Sequence, residues 1–212
     1  MGSFKTAAEQ GNINKLYDLI RGNPKALEDI DKVPFIETPL HVAASCGKIS
    51  FAMEIVRLKP SFSRKLNEGG FSPMHLALLN GQTKMVLRFV DHESRLVRVQ
   101  GKEGKTPLHH VAEQGDVYLL AKFLWACPTC IQDVTVHGET ALHIAVKNRK
   151  VEALDVLLGG LRTACHKGSY IQEKVAINRK DVEGKTALHI AIVSDQVQVY
   201  LCSLAYNYDL LN

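Results

Sequence analysis

The sequence predicts an all-α solenoid of about six helix-turn-helix units with projecting finger turns, and three observations predict it. The first is a recurring tetrapeptide. Thr38-Pro39-Leu40-His41 returns as Ser72-Pro73-Met74-His75, Thr106-Pro107-Leu108-His109, Thr140-Ala141-Leu142-His143 and Thr186-Ala187-Leu188-His189. Successive copies lie 34, 34, 34 and 46 residues apart, and a fixed period of this size means stacked supersecondary units that cannot bury an apolar face alone. The second is glycine placement. Gly47, Gly81 and Gly115 stand nine residues after the motif's first position, where a tight reversal between antiparallel helices needs left-handed backbone angles. Arg149 and Asp195 occupy that slot in the other copies, so those two turns are expected to use another geometry. The third is periodicity. Ile49, Ala52 and Val56, then Val117, Leu120 and Leu124, then Val151, Leu154 and Leu158 recur at i, i+3, i+7, which places each set on one helix face.

Threonine-proline-leucine-histidine followed two residues later by alanine is the signature of ankyrin repeats, and the chain resembles that family over nearly its whole length. Tetratricopeptide repeats share the period but need a Trp/Gly/Tyr pattern that the single Trp125 cannot supply. A second glycine two residues before the motif, at Gly70, Gly104, Gly138 and Gly184, is expected to turn the projecting finger. Upstream, Ala8-Glu9-Gln10-Gly11 echoes Ala112-Glu113-Gln114-Gly115, with Ile13, Leu16 and Ile20 in phase, which marks an incomplete capping unit. One domain over 1–212 results, with units at about 2–32, 33–66, 67–100, 101–134, 135–180 and 181–212. Twelve extra residues in the longest interval fall at about 159–176, with His166-Lys167-Gly168-Ser169 as a loop tip. At the other end Val197, Tyr200, Leu201 and Leu204 form an apolar helix face with no polar cap after it, so fraying or self-association is expected there.

Composition excludes several classes. Of the 212 residues 46% are hydrophobic, and 26 basic against 22 acidic side chains leave a net charge of +4, too balanced for a nucleic-acid partner. No run reaches the 18 or so apolar residues of a membrane span, and the N-terminus has no secretory apolar core. Five cysteines without paired spacing point to a reducing, cytoplasmic setting. The five motif histidines belong to separate units and lack metal-ligand spacing; the family assigns them local hydrogen bonds, and no metal or other cofactor is expected. Cys127-Pro128-Thr129-Cys130 is the one chemical motif, since C-P-x-C can drive disulfide exchange. Pro128 nevertheless fills the slot of Pro24 and Pro60, thirteen residues after the turn, where proline stops a helix. A thiol-redox protein using Cys127 and Cys130 is thus the alternative to a non-enzymatic scaffold.

In ankyrin repeats partners bind at finger tips and at the exposed edge of the inner helices. Those slots lie four, three and one residues before the motif and seven and eight after its first residue. They single out Phe35, Glu37, Phe71, Leu79, Lys102, Glu103, Lys105, Glu113 and Gln114 as partner-binding residues. Phe35, Phe71 and Leu79 resemble a hot spot with a polar rim; packing of the two phenylalanines against adjacent fingers is the competing expectation. Leu58 to Glu68, Ala126 to Val134 and Gly138 to Ile144 are similar to plant ankyrin proteins of the Bian Da type. That resemblance implies a regulator in plant defence or stress signalling, acting through protein contacts at the cytosolic face of the plasma membrane. The group carries membrane-spanning helices after its repeats, and this chain departs from it in ending at Asn212 without one, so membrane contact is expected only indirectly. Met1-Gly2-Ser3-Phe4-Lys5-Thr6 also fits the pattern for myristoylation of Gly2.

Overall fold

The recurring tetrapeptide does its work as a helix start. In each copy Thr or Ser is the N-cap, and the histidine three residues on closes a capping box with it, which satisfies backbone donors that a helix start otherwise leaves open. Proline at the next position, in three copies, has its backbone angle preset and no N–H to lose. The computed structural model describes residues 2–165 and 177–194, with the side chains of 162–165 excepted. Among these residues every regular element is helical.

The chain divides into two compact halves, Met1–Lys102 and Glu103–Asn212. In the first, α1 (Gly2–Gln10) and α2 (Ile13–Gly22) form the capping pair, followed by α3 (Ala26–Lys32). Then come the inner and outer helices α4 (Pro39–Ser45) with α5 (Ile49–Leu58), and α6 (Pro73–Leu79) with α7 (Thr83–His92). α1 packs on α4 and α4 on α6, while α2, α5 and α7 follow one another on the outer side. The second half repeats the plan with α8 (Pro107–Gln114), α9 (Val117–Ala126), α10 (Ala141–Lys147), α11 (Val151–Cys165) and α12 (Ala187–Val193). There α8 packs on α10, α10 on α12, and α9 on α11. The cores are strictly apolar at the periodic positions: Phe51, Ile55, Phe62 and Phe89 in the first half, Leu108, Leu120, Phe123 and Leu157 in the second, are all fully or almost fully buried.

Gly11, Gly47, Gly81 and Gly115 take the expected left-handed angles. Arg149 does not use another geometry: it adopts the same left-handed turn, with φ 54°. Helix packing on both sides of the turn fixes the reversal, and arginine accepts a conformation that costs a side chain of the order of 1 kcal/mol. Asp195 lies outside the described residues. Gly159 and Gly160 do not end α11, which runs fifteen residues to Cys165 where the other outer helices have ten. Close packing explains the second glycine, because a Cβ on Gly160 would stand 2.6 Å from Leu124 Cδ1. The anticipated loop tip at 166–169 and the apolar face of Val197, Tyr200, Leu201 and Leu204 fall outside the described residues.

Candidate protein-interaction surface

Three of the motif histidines, His41, His109 and His143, tie one repeat to the next. Thr38 donates its backbone N–H to His41 Nδ1 at 3.1 Å, with the Thr38 hydroxyl 2.8 Å from the same nitrogen. Nδ1 therefore accepts and Nε2 carries the proton. His41 Nε2 donates to the carbonyls of Phe71 at 3.0 Å and Lys65 at 3.1 Å. In the second half His109 reaches the Glu139 carbonyl and His143 the Lys185 carbonyl, each at 3.2 Å. Phe71, Glu139 and Lys185 are the residues just before the next motif, so the histidine clamps the base of the following finger. Burial holds His41 and His109 neutral and pushes their pKa down to about 4, against the opposing pull of the carbonyls; burial lowers His143 as well. His41, His109 and His143 thus make the local and neighbouring backbone hydrogen bonds that the family resemblance implies. Among the described residues no three His, Cys, Asp or Glu side chains gather as a metal site.

The fingers are short hydrogen-bonded turns. Asn67, Thr135 and Asp181 each donate an N–H to the carbonyl four residues later, at 2.9 to 3.0 Å. Left-handed Gly70, Gly104, Gly138 and Gly184 make the reversal. At Gly104 a side chain is excluded twice, by its φ of +69° and by the Val136 backbone nitrogen 2.9 Å from a Cβ. Neighbouring fingers are joined through their tips, Lys102 N–H to Gly70 O at 2.8 Å, Val136 to Glu103 at 3.0 Å and Val182 to His137 at 2.9 Å. Slots on this frame are presented by backbone held on several sides.

The slots differ in what they present. Phe35 is 61% exposed and Leu79 47% exposed. Phe71 is half-buried, its ring 6.3 Å from that of His75 and tilted by 55°, so its aromatic face is shared between neighbour and solvent. Glu37 is exposed and meets Lys5 at 3.9 Å. Lys102, Glu103 and Gln114 are exposed at the surface. Lys105 and Glu113 pair with each other at 3.3 Å, and His110 Nδ1 stands 3.8 Å from Glu113. In the following repeat the same two slots hold Glu139 and Lys147, an ion pair of inverted sign. Burial pushes Glu139 up, but the Lys147 ammonium and the Thr135 hydroxyl outweigh it, and the carboxyl lies below its ordinary range. Phe71 and Leu79 fill the corresponding slots in the first half. The position before the motif and the position seven after its first residue are thus matched in three repeats, apolar in one and ionic in two, and unmatched as Glu37 with Ser45 and Lys185 with Val193.

Sequence reasoning missed Trp125. The chain's single tryptophan is 86% exposed on α9, with Tyr118 about two helical turns before it at 53% and Lys122 Nζ 5.6 Å from the Tyr118 ring. The signal was the slot: nineteen residues after the motif's first residue stand Arg57, Asp91, Trp125 and Gly159, and only the third is a large apolar side chain. Cys127 caps, and Cys130 lies within, a 3₁₀ turn, Pro128–Gln132, that repeats Pro60–Arg64 and Ser94–Arg98. Both cysteines are buried, Cys130 completely. Among the described residues no helix is long and apolar enough to cross a membrane.

Residues 4–98 and 94–167 match the family model described as ankyrin repeats (3 copies), and the chain belongs to the ankyrin-repeat family. Over 64 residues it is 50% identical to the ankyrin repeat-containing protein BDA1 of Arabidopsis thaliana, a match that takes in 30% of this chain and 15% of that protein. A chain of the solved complex of the predatory endopeptidase Bd0816 from Bdellovibrio bacteriovorus with the immunity protein Bd3460 is similar in fold. Its TM-score is 0.68 at 22% identity, over 96% of this chain and 97% of that one.

Proposed function

We propose that this chain is a non-enzymatic scaffold that recognises proteins through its finger and inner-helix slots. Ankyrin repeats serve protein–protein interaction, and the observation that supports this reading here is the rigid presentation of side chains that the stack does not consume. In the first half Phe35, Phe71 and Leu79 are the anchors, with Glu37 beside them. In the second half Glu103, Lys105 and Glu113 set charge preference, as Lys102 does at the end of the first, and Gln114 adds a polar contact. Exposed aromatic and aliphatic anchors lose most of the binding energy on truncation, about 2 kcal/mol or more.

Similarity to the Arabidopsis protein, together with the Bian Da-type segments, supports a role as a regulator in plant defence or stress signalling. The setting we propose is cytoplasmic, at the cytosolic face of the plasma membrane. Myristoylation of Gly2 would add a membrane contact; α1 begins at Gly2 and Phe4 is 8% exposed, which weighs against it, and intact mass from plant cells decides it. For the thiol-redox alternative, burial of both cysteines offers no accessible thiolate.

The test is affinity capture from plant extract, identification of the prey, and titration calorimetry with purified partner. Phe71→Ala is expected to weaken binding at least tenfold with little change in melting temperature. Undiminished binding by Phe71→Ala, Phe35→Ala and Leu79→Ala together removes the proposal.

A further inference from the structure

The first finger is built differently from the others, and the difference opens a cavity. Where later fingers carry glycine two residues before the motif, this one carries Ile36. The left-handed angle moves one residue back to Phe35, φ 49°. Phe35 therefore turns outward, while Ile36 is drawn inward to 8% exposure. Ile36 then lines a cavity of about 250 Å³ together with Phe4 of α1, Ile30 of α3 and Val42 of α4. These four side chains keep 6 to 8% of their surface, whereas Leu40, Ala43 and Ala44 behind them keep none. The mouth is edged by Glu37, Glu68 and Lys5.

Size and chemistry narrow the occupant. The volume is below the roughly 300–1,000 Å³ of sites that hold drug-sized ligands, and it suits one or two side chains. No set of polar groups converges on the floor to orient a cofactor; the Thr38 hydroxyl in the wall is committed to His41. Apolar surface left open in this way gains by covering with apolar atoms. The rim adds a sign. Glu68 is exposed and has no ion-pair partner among the described residues. Lys5 meets Glu37 at 3.9 Å with both side chains about half exposed, a contact too loose to hold against a better-placed partner. The mouth is thus net acidic over an apolar floor.

We infer that this cavity receives an aliphatic side chain from a partner segment that carries a basic residue beside it, Glu68 and Glu37 holding the cation. The inference rests on the reading of the chain as a protein-recognition scaffold, and it adds the chemistry of one recognised element. The probes are the capped peptides Gly-Leu-Lys-Gly, Gly-Leu-Glu-Gly and Gly-Ser-Lys-Gly, titrated into the isotope-labelled full chain while backbone amides are followed by NMR. The Leu-Lys peptide should shift amides of residues 36–42 saturably. The Leu-Glu and Ser-Lys peptides should bind about two- to fivefold more weakly, the difference made by one exposed ion pair or one small apolar contact. Glu68→Lys, an exposed substitution that leaves the core intact, should abolish the preference for lysine, and Val42→Phe should fill the cavity and remove binding. Equal affinity for the Lys and Glu peptides, a lysine preference that survives Glu68→Lys, or no shift at 36–42 overturns the inference. None of these results touches the Phe71 and Leu79 anchors, whose failure shows instead in the calorimetry with whole partner.

Discussion

The two halves of the molecule use one frame and dress its slots and outer helices differently. In Met1–Lys102 the finger and inner-helix slots present Phe35, Phe71 and Leu79, while the outer helices are ionic: Glu54 binds Arg57 at 2.6 Å, Arg57 donates to Tyr17 at 2.9 Å, and Lys84, Arg88 and Asp91 stand exposed. In Glu103–Asn212 the slots hold the ion pairs Lys105–Glu113 and Glu139–Lys147 beside exposed Val136, Val182 and Val193, while the outer helix α9 shows Tyr118 and Trp125. The buried positions barely differ between halves. Backbone hydrogen bonds, caps and the Thr/Ser–His clamp fix the repeat, so the slots that point away from it are free to change chemistry without changing fold. On the proposed function, recognition is a property of these slots, and each half has to be read by itself.

The largest expected effect tests what the halves share. His41 and His109 have folded pKa values of about 4 against 6.5 for an exposed histidine. A depressed folded value means that the unfolded chain binds protons first. Stability is therefore complete above about pH 6.5 and falls as pH drops towards 4, by on the order of 3 kcal/mol for each histidine. Denaturant titrations from pH 7.5 to 4.5 should show both halves losing stability together. A flat profile over that interval would mean that the clamps are not closed.

A smaller effect separates the halves. Removing Lys147 leaves Glu139 buried beside Thr135 without its cation, so Lys147→Met should cost about 1–3 kcal/mol and turn the lowered Glu139 pKa into a raised one. Leu79→Met at the corresponding apolar slot should stay within about 0.5 kcal/mol. NMR titration of the Glu139 carboxyl and paired denaturation curves check both, and an unmoved pKa would show that the ionic slot is only surface decoration. Arg149→Gly should stabilise the chain by about 1 kcal/mol through relief of its left-handed angle; a loss of stability would mean that the arginine side chain compensates for its backbone. Trp125→Arg should shift stability by no more than about 0.5 kcal/mol, with native tryptophan emission that is red and readily quenched by iodide. Blue, protected emission would place Trp125 under cover.

Much of the frame was legible because it is local. A Thr/Ser N-cap, proline at the first helical position and a glycine reversal act within a few residues, and their period carries the stack. The pairing of Lys105 with Glu113 was also within reach, since both slots repeat in register; each residue was assigned to a partner, and they meet each other. Arg149 was misread because a non-glycine residue at positive φ is decided by the helices on either side, not by its own preference. The cavity under Ile36 was hidden for a related reason. A missing finger glycine is visible in the sequence, but the space it leaves depends on how Phe4, Ile30 and Val42 pack around one displaced side chain.

The different dressing of the two halves is tested most directly by calorimetry with a captured partner. Leu79→Asp and Trp125→Asp exchange one exposed apolar side chain each, the first in an inner slot of one half and the second on the outer helix of the other. The slots as described predict at least a tenfold loss of affinity for Leu79→Asp, an unchanged melting temperature for both variants, and full affinity for Trp125→Asp. Full affinity for Leu79→Asp with binding lost in Trp125→Asp would contradict them and move recognition to the outer face.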